Sequence, residues 1–376
     1  MFKELFQFIS GKRETIKQFR KNTKYMSSGE YRFDGSIEYI CRSDCHSLLR
    51  ASEMFQKNLY KQVFTRLIIF LLRKVLFSKK INVIEHKLSL DDFSGTIFIP
   101  VRSTSGYIDI RIFDLTRNKV LTVFSRKKDY NSVIENYGNF KPYFHIPTVL
   151  WKSDEDLLII EELIIFEPKT NWGNDDYLLI MKVTFELYLT FFKNKQEKIH
   201  SFITPQNLFQ SLPGEVEIKD LWMKISKEIT NMKLPYTLLH GDLWTSNILY
   251  KKSDDFDVYF IDWEYSSEFI FFYDLFNMMW LEVYMNNNYV YVEKYVNGDY
   301  DLYFYNMFAI FDLKFQSKYK QDYFIIYFLE FMKNRLSYFD TNNVLFIIPH
   351  FMKFLDTMKQ MELRIEHKRE KIQEII

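Results

Sequence analysis

The sequence predicts an α+β chain in which a small β-rich lobe precedes a larger helical one. Three observations predict it. Short β-forming segments separated by turns crowd residues 95–163, long amphipathic stretches dominate after Pro168, and two short polar-tipped strands interrupt that helical part. Runs of strands followed by runs of helices are the pattern of segregated α+β layers.

Length and composition set the bounds. At 376 residues the chain exceeds one small core and suggests two or three units. With 47% apolar and 19% aromatic residues, it can bury a substantial interior. The formal net charge of +1, with 50 basic and 49 acidic residues interspersed, excludes the basic excess of a nucleic-acid binder. Two cysteines make no disulfide framework and fit a reducing cytoplasm. Cys41, Cys45 and His46 offer three metal ligands, but without a second cluster the zinc signal is poor.

Residues 1–82 read as a mainly helical, basic N-terminal extension, with "MSSGEYRFDGS" (26–36) as a loop. The start lacks the apolar core and cleavage site of a signal peptide. No apolar run reaches the roughly 18–20 residues that span a bilayer. "VFTRLIIFLLRKVLF" (63–77) is interrupted by Arg66, Arg73 and Lys74. It suits either a helix packed on its own domain or, over 60–78, a peripheral membrane contact.

Residues 83–167 read as the β-rich lobe. "GTIFIPV" (95–101) is rich in β-formers, "RSTSG" is turn-like, and "YIDIRIFD" (107–114) alternates as a half-buried strand does. "KVLTVFS" (119–125) is its hairpin partner, a helix fits 129–140, and "IPTVLW" and "LLIIEEL" (157–163) close the set. Residues 168–376 then read as mostly helical, with "YLLIMKVTFELYLTFF" (177–192) and "YFIIYFLEFMKNRLSYF" (323–339) as the clearest helices.

The chemistry gathers in the helical part. In "LLHGDLWTSNILY" (238–250), Asp242 follows an apolar run and Asn247 precedes the next; in "VYFIDWEYSS" (258–267), Asp262 ends a third. The last two runs can pair as a hairpin, which brings Asp242, Asn247 and Asp262 together. Two carboxylates and an amide oxygen suit a hard cation such as magnesium. Phosphoryl transfer needs one further carboxylate to orient the attacking hydroxyl and take its proton. A metal hydrolase also uses such oxygens, with more His or Asp ligands.

"HGDLWTSN" followed by "IDWE" resembles the catalytic signature of the aminoglycoside phosphotransferase and choline kinase superfamily, a branch of the protein-kinase-like fold. "IDWEYSS" with "YDL" (273–275) is similar to choline and ethanolamine kinases and their bacterial relatives. The resemblance covers roughly 236–282. It implies a two-lobed protein-kinase-like fold and an ATP- and Mg-dependent kinase acting on a small-molecule hydroxyl. Asp242 is then the catalytic base, Asn247 and Asp262 the metal ligands, and His240 and Asp274 the supports of the catalytic loop.

The nucleotide side matches less well. The implied phosphate loop supplies Ser103, Thr104, Ser105 and Gly106 but no G-x-G-x-x-G. No Lys occupies the middle of "KVLTVFS"; Lys119 begins it, Arg126, Lys127 and Lys128 follow it, and Glu135 lies on the following helix. Backbone groups near Glu161, Glu162 and Leu163 are the implied adenine contacts. On the acceptor side, Trp263, Glu264, Tyr265, Trp280 and Glu282 suit either an aromatic wall with a carboxylate for a choline-like cation or plain core in a chain with 26 Tyr and 38 Phe. An aminoglycoside or saccharide acceptor fits equally. The competing expectation is a degenerate pseudokinase that binds or scaffolds.

Overall fold

The computed structural model describes residues 2–34, 39–55, 80–84, 90, 92–102, 107–199, 201–212, 216–252, 257–336 and 346–375. The chain divides into two compact units, Met1–Glu135 with Pro147–Asn171, and Asn136–Ile146 with Trp172–Ile376.

The first unit is built on helix α1 (Phe2–Lys21), strands β1 (Gly29–Asp34) and β2 (Tyr39–Arg42), helix α2 (Cys45–Met54) and strand β3 (Ile81–Val83). Strands β4 (Ile97–Arg102), β5 (Ile108–Asp114) and β6 (Lys119–Val123) follow, then helix α3 (Lys127–Phe140) and strands β7 (Val149–Ser153) and β8 (Leu158–Glu162). The eight strands form one sheet in the order β3-β1-β2-β4-β5-β6-β8-β7. All its pairings are antiparallel, as hairpin connections allow.

The segment through residue 82 therefore corrects the expectation of a helical extension. β1–β3 join the sheet, while the Gly, Ser and Asp around them are turn formers that mask strands this short. The alternating strand 107–114 is also not half-buried. Phe98, Ile110, Ile112, Leu121 and Ile160 pack on one face with Phe19 of α1. Ile97, Phe113 and Leu115 pack on the other with Ala51 of α2. The acidic positions of β5, Asp109 and Asp114, are buried with partners: Asp109 accepts from the Ser125 backbone N–H and hydroxyl at 2.7 Å each. Asp44 starts α2 as its N-cap, its carboxylate accepting from the Ser47 N–H at 2.9 Å.

The second unit carries α4 (Asn174–Lys195), strands β9 (Ser201–Ile203), β10 (Leu234–Leu239), β11 (Ile248–Lys251), β12 (Asp257–Phe260) and β13 (Ser267–Ile270). Two short helices, Pro205–Gln210 and Val216–Trp222, precede β10, and helices α5 (Tyr273–Asn286), α6 (Val290–Asn297), α7 (Asp301–Ile310), α8 (Lys320–Leu336) and α9 (Ile348–Ile375) follow β13. The strands form a β13-β10-β9 sheet and a separate β11-β12 hairpin. One aromatic-rich core binds these elements, and α5 runs through it with Tyr273–Val283 buried throughout. A helix apolar on nearly every side belongs in an interior. The 60–78 segment lies outside the described residues. Among those described, no helix is long and apolar enough to cross a membrane.

Candidate active site

β10 delivers the chain to His240, where the strand stops. Gly241 turns it with φ +79°, in the left-handed region that favours glycine. A single 3₁₀ turn, Thr245–Asn247, then feeds β11. β11 pairs with β12 from Ile248↔Phe260 to Lys251↔Asp257, and the Ile261 N–H donates to the Asn247 carbonyl at 3.0 Å. That hairpin sets Asn247 beside the end of β12, where Asp262 follows with φ 64°. Asp is among the few non-glycine residues that adopt this conformation readily.

Hydrogen bonds tie Asn247 to Asp242, and the hairpin sets Asp262 one residue past the Ile261 N–H that Asn247 accepts. Asn247 Nδ2 donates to the Asp242 carbonyl at 2.8 Å and to its Oδ2 at 3.3 Å. With its nitrogen so committed, the amide offers its oxygen as the ligand atom. The donor set is all oxygen, which fits a hard divalent cation.

His240 is fully buried and holds the loop rather than facing solvent. Its Nδ1 accepts the Asp242 N–H at 3.3 Å, so the neutral ring carries its proton on Nε2, 2.8 Å from the Ile261 carbonyl. Asp274, also buried, accepts from the His240 N–H at 2.8 Å, the Gly241 N–H at 2.9 Å and the Tyr188 hydroxyl. Burial pushes its carboxyl above the ordinary range, while His240 and these three donors pull the other way.

The acceptor candidates separate. Trp263 is 1% exposed, its ring tilted against Phe140 at 4.2 Å and against His240 at 4.5 Å between centroids. Trp280 is equally buried among Tyr284, Phe328, Phe351 and Phe354. These indoles are core, which corrects the picture of a shared aromatic wall; a chain so rich in aromatics packs with them. Glu282 is buried and accepts the Thr245 hydroxyl. Glu264 and Tyr265, directly after Asp262, remain half-buried.

On the nucleotide side, Ser103, Thr104, Ser105 and Gly106 lie outside the described residues. Lys119 pairs with Asp92, and Arg126 grips Asp129 through Nε and Nη2 at 2.7 and 2.6 Å. Glu135 is exposed and, among the described residues, pairs with none of these cations. Glu162 Oε1 accepts the Thr148 N–H at 2.8 Å, and the Leu163 N–H donates to Asn118 at 2.8 Å. Leu163 and the segment to Asn171 line a cavity of about 390 Å³ with His46, Arg50 and Met54 of α2. Cys41 is buried and Cys45 exposed. Among the described residues no group of three His, Cys, Asp or Glu could hold a metal, so the Cys41–Cys45–His46 site is not formed.

The sequence reading missed Tyr188, Asn277 and Thr245. Asn277 carried a signal: a polar side chain inside a helix apolar on every side needs a buried partner.

Residues 160–300 match the family model of the Ecdysteroid kinase-like family. This segment is ecdysteroid kinase-like. It spans less than half the chain and contains the whole loop cluster, so the resemblance to the aminoglycoside phosphotransferase and choline kinase-like superfamily holds. No curated protein matches the sequence. Among solved structures, the choline kinase LicA from Streptococcus pneumoniae is 11% identical, with 79% of this chain and 100% of that chain covered and a TM-score of 0.39. Aminoglycoside phosphotransferase APH(4)-Ia, in complex with ADP and hygromycin B, is 11% identical over 71% and 95%, with a TM-score of 0.42. Amicoumacin kinase hAmiN, with AMP-PNP and Ca2+, is 11% identical over 68% and 85%, with a TM-score of 0.37. Along the chain a β-rich sheet comes first and a mostly helical region follows it.

Proposed function

We infer that this kinase-superfamily chain moves the γ-phosphate of ATP, with magnesium, to a hydroxyl of a small molecule. The observation that carries the reading is the hydrogen-bonded Asp242–Asn247 loop, with the β11–β12 hairpin bringing the chain back beside Asn247 just before Asp262. Asn247 Oδ1 and the Asp262 carboxylate are the groups to hold the metal, which when bound neutralises phosphate charge. Asp242 orients the acceptor hydroxyl and takes its proton as the oxygen attacks. His240 and Asp274 hold the Asp242 backbone in place, so that carboxylate needs no reorganisation at the moment of transfer.

Leu163 and its cavity support adenine contacts near Glu161–Leu163 in the first unit. Glu264 and Tyr265 are the acceptor-side groups still open to solvent; a choline-like amino alcohol, an aminoglycoside or a saccharide fits them. A second reading, a catalytically degenerate binding module, is favoured by one observation. Of the cations flanking β6, Lys119 is engaged by Asp92 and Arg126 by Asp129, and the strand itself carries no central Lys.

A screen of choline, ethanolamine, aminoglycosides and sugars, read as phosphorylated product by mass spectrometry, tests the reading. A product formed by the wild type and absent with Asp242→Ala supports it. Magnesium-ATP that neither turns over nor raises the melting temperature supports the binding module instead.

A further inference from the structure

Helix α5 poses a question that the kinase reading leaves open. Every residue from Tyr273 to Val283 is buried, yet Asp274, Asn277 and Glu282 are polar. Each of these finds its partner on the loop that carries Asp242. Asp274 holds the His240 and Gly241 N–H groups. Asn277 Nδ2 donates to the Leu243 carbonyl at 2.9 Å. Glu282 Oε2 accepts the Thr245 hydroxyl. The contacts advance along the helix as they advance along the loop.

The braces are themselves braced. The Tyr327 hydroxyl on α8 donates to Asn277 Oδ1 at 2.9 Å, which fixes the amide so that its nitrogen faces Leu243. Asn288 Nδ2 donates to Glu282 Oε1 at 3.3 Å. Asn277, Thr245 and Glu282 are all fully buried, so no solvent competes for these bonds.

Resting on the phosphotransferase reading, we propose that Asn277 and the Thr245–Glu282 pair are positioning residues for the catalytic loop. Asp242 stands between Gly241 and Leu243, and both neighbours' backbones are tied to α5, one through its N–H and the other through its carbonyl. Thr245 opens the 3₁₀ turn that presents Asn247, so Glu282 sets the metal ligand as Asn277 sets the base. Glu282 thereby acts through the loop and not on the acceptor. A carboxylate this buried, with both oxygens engaged, has no face to offer a substrate.

The test uses the full chain and the variants Thr245→Val, Thr245→Ser and Asn277→Leu. Valine and leucine keep the volume and remove the donors; serine keeps the hydroxyl. Amide hydrogen exchange across 240–247 is expected to quicken tenfold or more in Thr245→Val and Asn277→Leu. Peptides from β4–β6 should keep the wild-type rate, and Thr245→Ser should exchange like wild type. This arm holds whether or not the chain turns over, so a failed kinase reading is seen separately, as wild type without ADP release. In the kinetic arm, magnesium-ATP turnover falls tenfold or more with KM for ATP within twofold, and Thr245→Ser recovers most of the rate. Unchanged loop exchange in both donor-less variants overturns the proposal. So does a loss expressed only in KM for the acceptor, which would make Glu282 a substrate contact.

Discussion

At Gly241 one added methyl group should damage both the fold and the candidate site. Its φ of +79° lies in the left-handed region, and a Cβ there would stand 2.5 Å from the Tyr265 carbonyl oxygen and 2.6 Å from Phe269 Cε2. A non-glycine residue in that conformation costs about 1–2 kcal/mol, and overpacking adds about 1–3 kcal/mol. Gly241→Ala should therefore destabilise by roughly 2–5 kcal/mol. For a unit of about 200 residues each kcal/mol lowers the melting temperature by roughly 2–4 °C, so a fall of about 4–20 °C is expected. Relief of the clash must move the backbone between His240 and Asp242, and a shift of about 1 Å can cost 100-fold in rate. Differential scanning fluorimetry with ADP release reads both effects. Gly138→Ala is the internal contrast, since a Cβ there meets nothing within 4 Å and Gly138 sits in α3. Replacing a helical glycine by alanine should stabilise by up to about 1 kcal/mol. A Gly241→Ala protein that melts within about 1 °C of wild type and turns over normally would refute the reasoning.

Two further outcomes follow from buried groups. Burial raises the Glu330 carboxyl above its ordinary 4.5, with Lys333 and the Tyr236 hydroxyl opposing, and among the described residues its Oε2 has no hydrogen-bond partner. The folded state thus keeps a proton that the unfolded chain loses above pH 4.5, so this group's contribution to stability falls as pH rises from there to the folded value. Glu330→Gln should flatten the melting temperature across that window, and an unchanged slope would show that the residue does not titrate there. Trp280→Ala should cost about 3–5 kcal/mol, as large core truncations do. Urea denaturation checks it, and a change confined to acceptor KM would return Trp280 to the substrate site.

The hairpin of the candidate site was legible because its polar signature is local. His240, Asp242 and Asn247 fall within eight residues, and Asp262 ends an apolar run that can pair only with the one before it. Strands β4–β8 and helix α3 were legible for the same reason, as period and turn signals act over a few residues. β1–β3 were not, because their flanking Gly, Ser and Asp outweigh strands of three to six residues. The burial of both faces of β5 was also hidden. It depends on α1 and α2, whose positions no pattern within β5 encodes. Trp263 and Trp280 show the limit of composition, since an aromatic wall and an aromatic core are written with the same letters. The α5 braces lie between these cases: Asn277 and Glu282 stand out in an apolar helix, but their partners on the loop are settled only by tertiary packing.

The central claim is that Asp242 serves phosphoryl transfer beside a metal held by Asn247 and Asp262. The measurement that bears on it most directly is magnesium-dependent ADP release by the wild type and Asp242→Ala, at matched ATP and with melting temperatures recorded alongside. The account predicts release by the wild type that needs magnesium and falls at least 100-fold in the variant, in line with loss of a positioned base, while the variant melts like wild type. Equal release by both proteins would contradict it.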